Sequence, residues 1–310
     1  MILTVTLNPA VDITLSVLSF APGDVSRAVE TQKSAGGKGI NVSRSLRILG
    51  LPSVALTVVG GDSVREFQRL ARESEIQIIY ISVPGEIRSN IHVFDQSTGN
   101  IFKVNQPGNA LADVHFNHFK MLYRQQLRSA SAVALGGSLP PESPVTAYRD
   151  LTELAVRHNV PAVVDAVGPV LLEALAAKPF IAKPNRRELE ETLGRKLRTE
   201  KQIIAAAREL NALGAQWAII TDGAKPVIVT SALEIFRVMP PSIQAKGTTG
   251  AGDALAAGFL AKFVNRAPFA DALRFGVAMA TANCLTEEGE TARAADVRTT
   301  YEMTTVTSLG

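Results

Sequence analysis

The sequence predicts an α/β protein built on a mostly parallel sheet covered by helices on both faces. Short β-branched apolar runs alternate along the chain with longer amphipathic stretches, the pattern of strands joined by crossover helices. At 310 residues the chain can bury one large core together with a small accessory unit. In order, strand patterns occupy residues 2–7, 54–59, 76–82, 132–135, 162–165, 180–183 and 217–221. Helical patterns occupy 39–49, 64–73, 113–127, 145–158, 200–213, 251–263 and 269–285. Gly50 and Gly214 stand where C-terminal caps of two of these helices fall.

Two segments break the alternation. Residues 12–19 and 25–31 read as strands with no helix between them. Residues 90–95 and 101–105 flank a hairpin-type connection containing Gly99. They form either a small separate sheet made of two excursions or edge hairpins on the main sheet, and periodicity leaves both open.

Hydrophobic residues make up 46% and charged residues 20%, which suits a packed protein and excludes a disordered one. The net charge of +3 is a slim excess with no Lys/Arg run, so no nucleic-acid partner is expected. One cysteine, Cys284, rules out an intramolecular disulfide and fits a reducing compartment. Its apolar helical surroundings read as a buried thiol rather than a nucleophile. The N-terminus runs into a strand pattern without a basic leader, and no apolar run approaches a membrane span. A soluble cytoplasmic protein is expected.

Chemistry concentrates in three glycine- or charge-rich stretches. Gly247-Thr248-Thr249-Gly250-Ala251-Gly252-Asp253-Ala254 enters an apolar helix. Small residues let the backbone approach a ligand, and the N–H groups of a helix start favour an anion. A carboxylate next to those glycines can accept a proton from an attacking hydroxyl, or simply favour the helix N-terminus. Ala35-Gly36-Gly37-Lys38-Gly39-Ile40-Asn41-Val42 opens another helix with a cation and an amide, suited to hydroxyls and phosphate oxygens or to a tight turn. In Lys183-Pro184-Asn185-Arg186-Arg187-Glu188, Asn185 and Glu188 share one side of a starting helix. They read as a partner for hydrated Mg²⁺ or as a capping box. Neither a P-loop signature nor the glycine fingerprint of a dinucleotide fold is present.

The ordered set Asn8-Pro9-Ala10-Val11-Asp12, GGKGIN, Gly137-Ser138-Leu139-Pro140-Pro141, KPNRRE, Thr221-Asp222-Gly223 and GTTGAGD resembles the phosphofructokinase B branch of the ribokinase family over nearly the whole chain. Bacterial 1-phosphofructokinases and tagatose-6-phosphate kinases are the nearest in pattern. Residues 183–190 followed by Gly194-Arg195-Lys196-Leu197 look more like the former. The resemblance implies a ribokinase-like, doubly wound, mostly parallel sheet with a small β-sheet lid. The large domain would comprise residues 1–8, 34–83 and 107–310, and the lid residues 9–33 and 84–106.

The resemblance also implies an ATP-dependent kinase for a ketohexose phosphate, fructose 1-phosphate first, with Asp253 as the base. Gly250, Ala251 and Gly252 would form an anion hole. Asp12, Gly37, Lys38 and Asn41 would bind sugar hydroxyls, with Ser138 also touching substrate. Arg88 and Lys103 would lie near the phosphate already on the sugar. Asn185 and Glu188 would be the Mg²⁺-associated pair, with Glu188 reaching the metal through water. Thr221 and Gly223 would lie along ATP, and Asn283 by the adenine. A homodimer through the lid is also implied.

Thr249 stands where relatives usually carry Val or Pro. Asp222 and Pro226 interrupt a stretch that commonly reads Ser-Leu-Gly-x-x-Gly. A carboxylate there would repel ATP phosphates unless it turned away or met a metal. The alternatives are tagatose 6-phosphate or fructose 6-phosphate as substrate, an unphosphorylated sugar or nucleoside, and a non-catalytic nucleotide or sugar-phosphate binder.

Overall fold

The computed structural model describes residues 1–287 and 291–310. In chain order the strands are β1 (Ile2–Thr6), β2 (Ala10–Val17), β3 (Ala28–Gly36), β4 (Ser53–Gly60), β5 (Ile78–Val83), β6 (Arg88–Asp95) and β7 (Ile101–Asn105). They continue as β8 (Ala132–Gly136), β9 (Ala162–Asp165), β10 (Ile181–Ala182), β11 (Trp217–Ile220), β12 (Val227–Thr230), β13 (Ile235–Met239) and β14 (Thr305–Ser308). The helices are α1 (Lys38–Ile48), α2 (Val64–Glu73), α3 (Asp113–Leu127), α4 (Ala147–Arg157), α5 (Gly168–Ala176), α6 (Arg186–Leu193), α7 (Glu200–Ala212), α8 (Ala251–Val264), α9 (Phe269–Asn283) and α10 (Ala294–Met303).

The large sheet has the order β14-β13-β12-β11-β10-β9-β8-β1-β4-β5. From β5 to β11 every neighbouring pair is parallel, and β12, β13 and β14 are added antiparallel. Strands such as β1 and β8 are buried along their whole length, which is why they read as unbroken apolar runs. Alternate side chains feed the two faces. Leu3 and Val5 join a core with Phe119, Tyr123, Tyr148 and Leu210 from α3, α4 and α7. Ile2 joins the opposite core with Leu46, Leu255, Phe259 and Val277 from α1, α8 and α9. The sheet is therefore doubly wound, and the chain changes direction across it at β1. At such a switch point the carboxyl ends of the strands open a crevice, and loops after β1, β8, β9, β10 and β11 gather there.

The excursions form a second sheet, β3-β2-β6-β7, separate from the first. β2 is parallel to β6 and antiparallel to β3, and β7 closes the other edge antiparallel. Pairing of β3 with β2 continues to Gly36, three residues beyond the boundary expected at residue 33.

Helices α8 and α9 cross through glycines. A Cβ on Gly258 would meet Met279 Cβ at 2.8 Å and Gly276 Cα at 3.0 Å, and one on Gly276 would meet the Leu255 carbonyl at 2.8 Å. This close approach seats the start of α8 over the crevice. Among the described residues no helix is long and apolar enough to cross a membrane.

Candidate active site

Helix α8 begins at Gly250, which caps it in a left-handed conformation (φ 78°) without any side-chain hydrogen bond. The first N–H groups of a helix have no intrahelical acceptor, so an uncapped start offers them to an anion. The Ala251 N–H makes only a long 3.4 Å bond, to the Thr248 carbonyl. A side chain at Gly252 would come within 3.0 Å of Lys183 Nζ, so the backbone and that ammonium converge on one spot.

Asp253 follows in the first turn of α8 and is buried. Its Oδ2 accepts a hydrogen bond from Asn41 Nδ2 at 2.9 Å. Burial raises its pKa to about 6, helped by the negative charge of Asp165 and opposed by Lys38, the Asn41 hydrogen bond and Lys183. A carboxylate tuned towards neutrality suits general-base work at ordinary pH.

A charged cluster lies beside it. Asp165, at the end of β9, is buried between two ammonium groups: Lys183 Nζ at 2.6 Å and Lys38 Nζ. Burial disfavours its charge, but Lys183 and Lys38 outweigh that and hold its pKa low. Lys38 also lies 3.4 Å from Glu188 Oε1. Burial works against its ammonium, yet Asp165, Glu188 and Asp253 together raise its pKa. Asn185 and Glu188 form a complete capping box at the start of α6: Glu188 N–H donates to Asn185 Oδ1 at 2.9 Å, and Asn185 N–H to Glu188 Oε2 at 2.8 Å. That leaves Glu188 Oε1 turned towards Lys38.

These groups line one cavity of about 420 Å³. Its polar end holds Lys38, Asp165, Lys183, Glu188 and Asp253, and Thr221 and Gly223 lie along its wall. Its other end is apolar, with Pro240, Pro241, Ile243, Val277 and Ala280. The size and the division suit a ligand with a flat apolar group and a polyanionic tail. Among the described residues no three His, Cys, Asp or Glu side chains cluster as a metal site.

A second, narrow cleft of about 40 Å³ lies under the small sheet, bordered by Asp12, Asn41, Arg44, His92, Gly250 and Asn283 among others. Asp12 Oδ1 accepts from Asn90 Nδ2 at 2.7 Å, and burial raises its pKa against that bond and the nearby His92, Arg44 and Arg88. Gly36 is glycine because a Cβ there would fall 2.1 Å from the Asp12 carboxylate. Gly37 adopts φ 121° with the Thr6 methyl 2.5 Å from where a Cβ would stand, and α1 starts from it. Gly250 borders both cavities, and Asn41 of the second bonds to Asp253 of the first. Asp253 thus stands in the partition between them.

The remaining expected residues make contacts of their own. Asn283 lines the narrow cleft, not the apolar end of the large cavity, and its Nδ2 donates to the Thr249 carbonyl at 3.0 Å. Its helical neighbours Ala280, Thr281 and Cys284 line the large cavity. Cys284, expected to be buried, is half-buried and lines the large cavity. Arg88 lines neither cavity. Its guanidinium donates to the carbonyls of Asn8 (3.0 Å), Pro9 (3.3 Å) and Gln106 (3.0 Å), bracing the segments that enter and leave the small sheet. Lys103 reaches from β7 to the loop before α8, its Nζ donating to Thr249 Oγ1 at 2.6 Å. Ser138 Oγ accepts from Asn8 Nδ2 at 3.2 Å. Asp222 turns away from the cavity to Arg186 and Lys225, both at 3.0 Å. Despite partial burial those two bonds lower its pKa.

Three charged residues of the site carry no role in the motif reading: Asp165, Lys183 and Arg44. Asp165 ends a parallel strand at the crevice side, and Lys183 opens the KPNRRE run, so strand-end position was the available signal.

The pfkB family carbohydrate kinase profile matches residues 5–294. The chain is 32% identical over 288 residues to the 1-phosphofructokinase of Bacillus subtilis (strain 168), covering 93% of this chain and 94% of that one. The crystal structure of a protein described as a possible 1-phosphofructokinase from Thermotoga maritima superposes with a TM-score of 0.91, at 30% identity over 100% of both chains. Phosphofructokinase-2 from Escherichia coli in complex with fructose-6-phosphate superposes with a TM-score of 0.88, at 25% identity over 97% of this chain and 98% of that one. The chain belongs to the pfkB family of carbohydrate kinases, with a ribokinase-like fold, and is a phosphotransferase acting on a sugar hydroxyl.

Proposed function

We propose that the protein transfers the γ-phosphoryl group of ATP to a primary hydroxyl of a ketohexose phosphate, converting fructose 1-phosphate to fructose 1,6-bisphosphate, with Asp253 as general base. The observation that carries this reading is Asp253 itself, buried in the partition between a nucleotide-sized cavity and a polar cleft, at the uncapped start of a helix. The names of relatives such as the Bacillus subtilis 1-phosphofructokinase support the choice of substrate.

In this reading the sugar lies against Asp12, Asn41 and the Gly37–Lys38 turn. Asp253 Oδ2 is held by Asn41, so Oδ1 takes the proton of the attacking hydroxyl. The N–H groups of Gly250, Ala251 and Gly252 and the ammonium groups of Lys38 and Lys183 meet the charge that develops on the phosphoryl oxygens. Asp165 is committed to two lysines, which leaves Glu188 as the carboxylate to steer Mg²⁺. One carboxylate with phosphate oxygens and water suits that ion, whose chemistry when bound is to neutralise phosphate charge. In this reading the small sheet acts as a lid that opens for entry and closes over the sugar to exclude water. The proposed assembly is a homodimer joined through the lids.

Coupled-assay turnover on fructose 1-phosphate, tagatose 6-phosphate and fructose 6-phosphate tests the reading. Fructose 1-phosphate should give the highest kcat/KM. Asp253→Asn should keep ATP binding and lose on the order of 10²-fold or more in kcat. ATP binding without turnover on any sugar would instead favour a non-catalytic binder. That alternative was raised by Asp222 and Pro226; the turn of Asp222 towards Arg186 and Lys225 offsets its charge and supports the catalytic reading.

A further inference from the structure

Arg44 lies one turn after Asn41 on α1, so the two side chains share a face. Its Nη1 donates to Asn41 Oδ1 at 2.8 Å, and its Nη2 donates to the Ala35 carbonyl near the end of β3. Asn41 Nδ2 then donates to Asp253 Oδ2 at 2.9 Å. A carboxamide has one accepting end and one donating end of nearly equal shape, so only its neighbours decide which way it points. Here both neighbours demand the same orientation: a guanidinium only donates, and an ionised carboxylate only accepts.

We propose that Arg44 is a positioning residue for phosphoryl transfer, locking the Asn41 amide so that its NH₂ holds Asp253 Oδ2 and Oδ1 faces the substrate hydroxyl. The proposal rests on the reading of Asp253 as the base. Without the guanidinium the carboxylate alone still selects the NH₂ end, but Asn41 Oδ1 loses its anchor, so the amide swings on a single bond and no longer holds Asp253 in line. A displacement of about 1 Å at a reacting group costs on the order of 10²-fold in rate. The bond to Ala35 adds a second consequence. Ala35 precedes Gly36, which packs against the Asp12 carboxylate, so one side chain ties the stem of the lid to the orientation of the base.

Arg44 also borders the narrow cleft and faces the charges of Asp12, Asp253 and Arg47. A direct contact with the substrate's existing phosphate is therefore the competing role, and kinetics separate the two. Positioning appears in kcat, whereas a phosphate contact made equally in ground and transition states appears in KM for the sugar phosphate.

The experiment is a double-mutant cycle on the full chain with Arg44→Met, Asn41→Ala and the double variant, using ATP and the sugar phosphate turned over best by the wild type. Arg44→Met should lower kcat by about 30- to 100-fold with both KM values within about threefold. In the Asn41→Ala background the same change should cost less than about threefold, because the relay it serves is already gone. Independent, multiplying losses, or a loss confined to KM for the sugar phosphate, overturn the proposal. If Arg44→Met fails to fold by circular dichroism, Arg44→Lys carries the same cycle, since one ammonium cannot reproduce the two-armed bond. Its kcat loss should likewise vanish beside Asn41→Ala, and a loss that persists there overturns the proposal. If Asp253→Asn retains turnover, the reading of the base fails and this proposal with it. If Asp253→Asn is inactive and the cycle is additive, only the role of Arg44 fails.

Discussion

A buried carboxylate that has to be ionised to work is held at a cost to stability. Asp253 has a folded pKa of about 6 against an ordinary 3.8, because burial and Asp165 outweigh Lys38, Asn41 and Lys183. Between those two values the folded chain binds more protons than the unfolded one, so stability falls as pH rises from about 4 to about 6 and levels off above. Removing the charge while keeping the shape should reverse this. Asp253→Asn is expected to be more stable than the wild type at pH 7 by roughly 1–3 kcal/mol, with the gain vanishing near pH 4. Urea denaturation of both proteins at the two pH values measures it. Equal stability at pH 7 would mean that the carboxylate pays no desolvation penalty in place. The same pKa predicts that wild-type kcat/KM rises with pH through about 6 and then flattens, as the base of the free enzyme loses its proton.

Elements carry these residues, and the start of α8 is placed by its crossing with α9. Gly258 and Gly276 let the two backbones approach, with an added Cβ at Gly258 meeting Met279 and Gly276 at 3.0 Å or less. Gly258→Ala is expected to destabilise by about 1–3 kcal/mol, since neither neighbour is a flexible side-chain end. It should also lower kcat, because the helix that shifts carries Asp253 away from Asn41. A urea midpoint and kcat matching the wild type would show the crossing to be slack. The same elements show what was legible in sequence. Strands buried on both faces, such as β1 and β8, were plain because burial itself writes an apolar run. Strands β12 to β14 were not: two are four residues long, and β14 is largely exposed and polar, so its place comes from pairing with β13. The glycine stretches announced the turns and the helix starts. The pairing of Asp165 with Lys38 was hidden, as was that of Asp222 with Arg186, because each joins side chains far apart in the chain. The bond of Asn283 to the Thr249 carbonyl was hidden for a related reason: helical periodicity fixes a face but not the loop that packs on it.

For the whole molecule, the small sheet has two unlike faces, and the difference bears on assembly. On the inner face Asp12 pairs across to Asn90, and Thr14 to His92, next to Lys103. The outer face carries Ile13 opposite Ile91 and Leu15 opposite Val93, continued by Val104 and Phe102 on β7. Of these six, Ile13 packs partly against the core beside Val11 and Phe67, and the apolar patch opens towards β7, where Phe102 is 42% and Val104 63% exposed. Patches of this kind on a small sheet with open edges mark a surface that a partner covers. A second copy brings an identical patch, and a twofold axis lets the two faces pack on each other. The proposed dimer therefore predicts its own disruption by one charge. Val104→Asp should shift sedimentation from dimer to monomer at micromolar protein, because a carboxylate in the joint loses water without gaining a partner. The inner face is untouched by this change, so any loss of activity should follow dissociation and recover as protein concentration rises. A variant that sediments like the wild type would place the subunit contact elsewhere, and one that is monomeric at every concentration yet fully active would leave the dimer without a part in closing the lid.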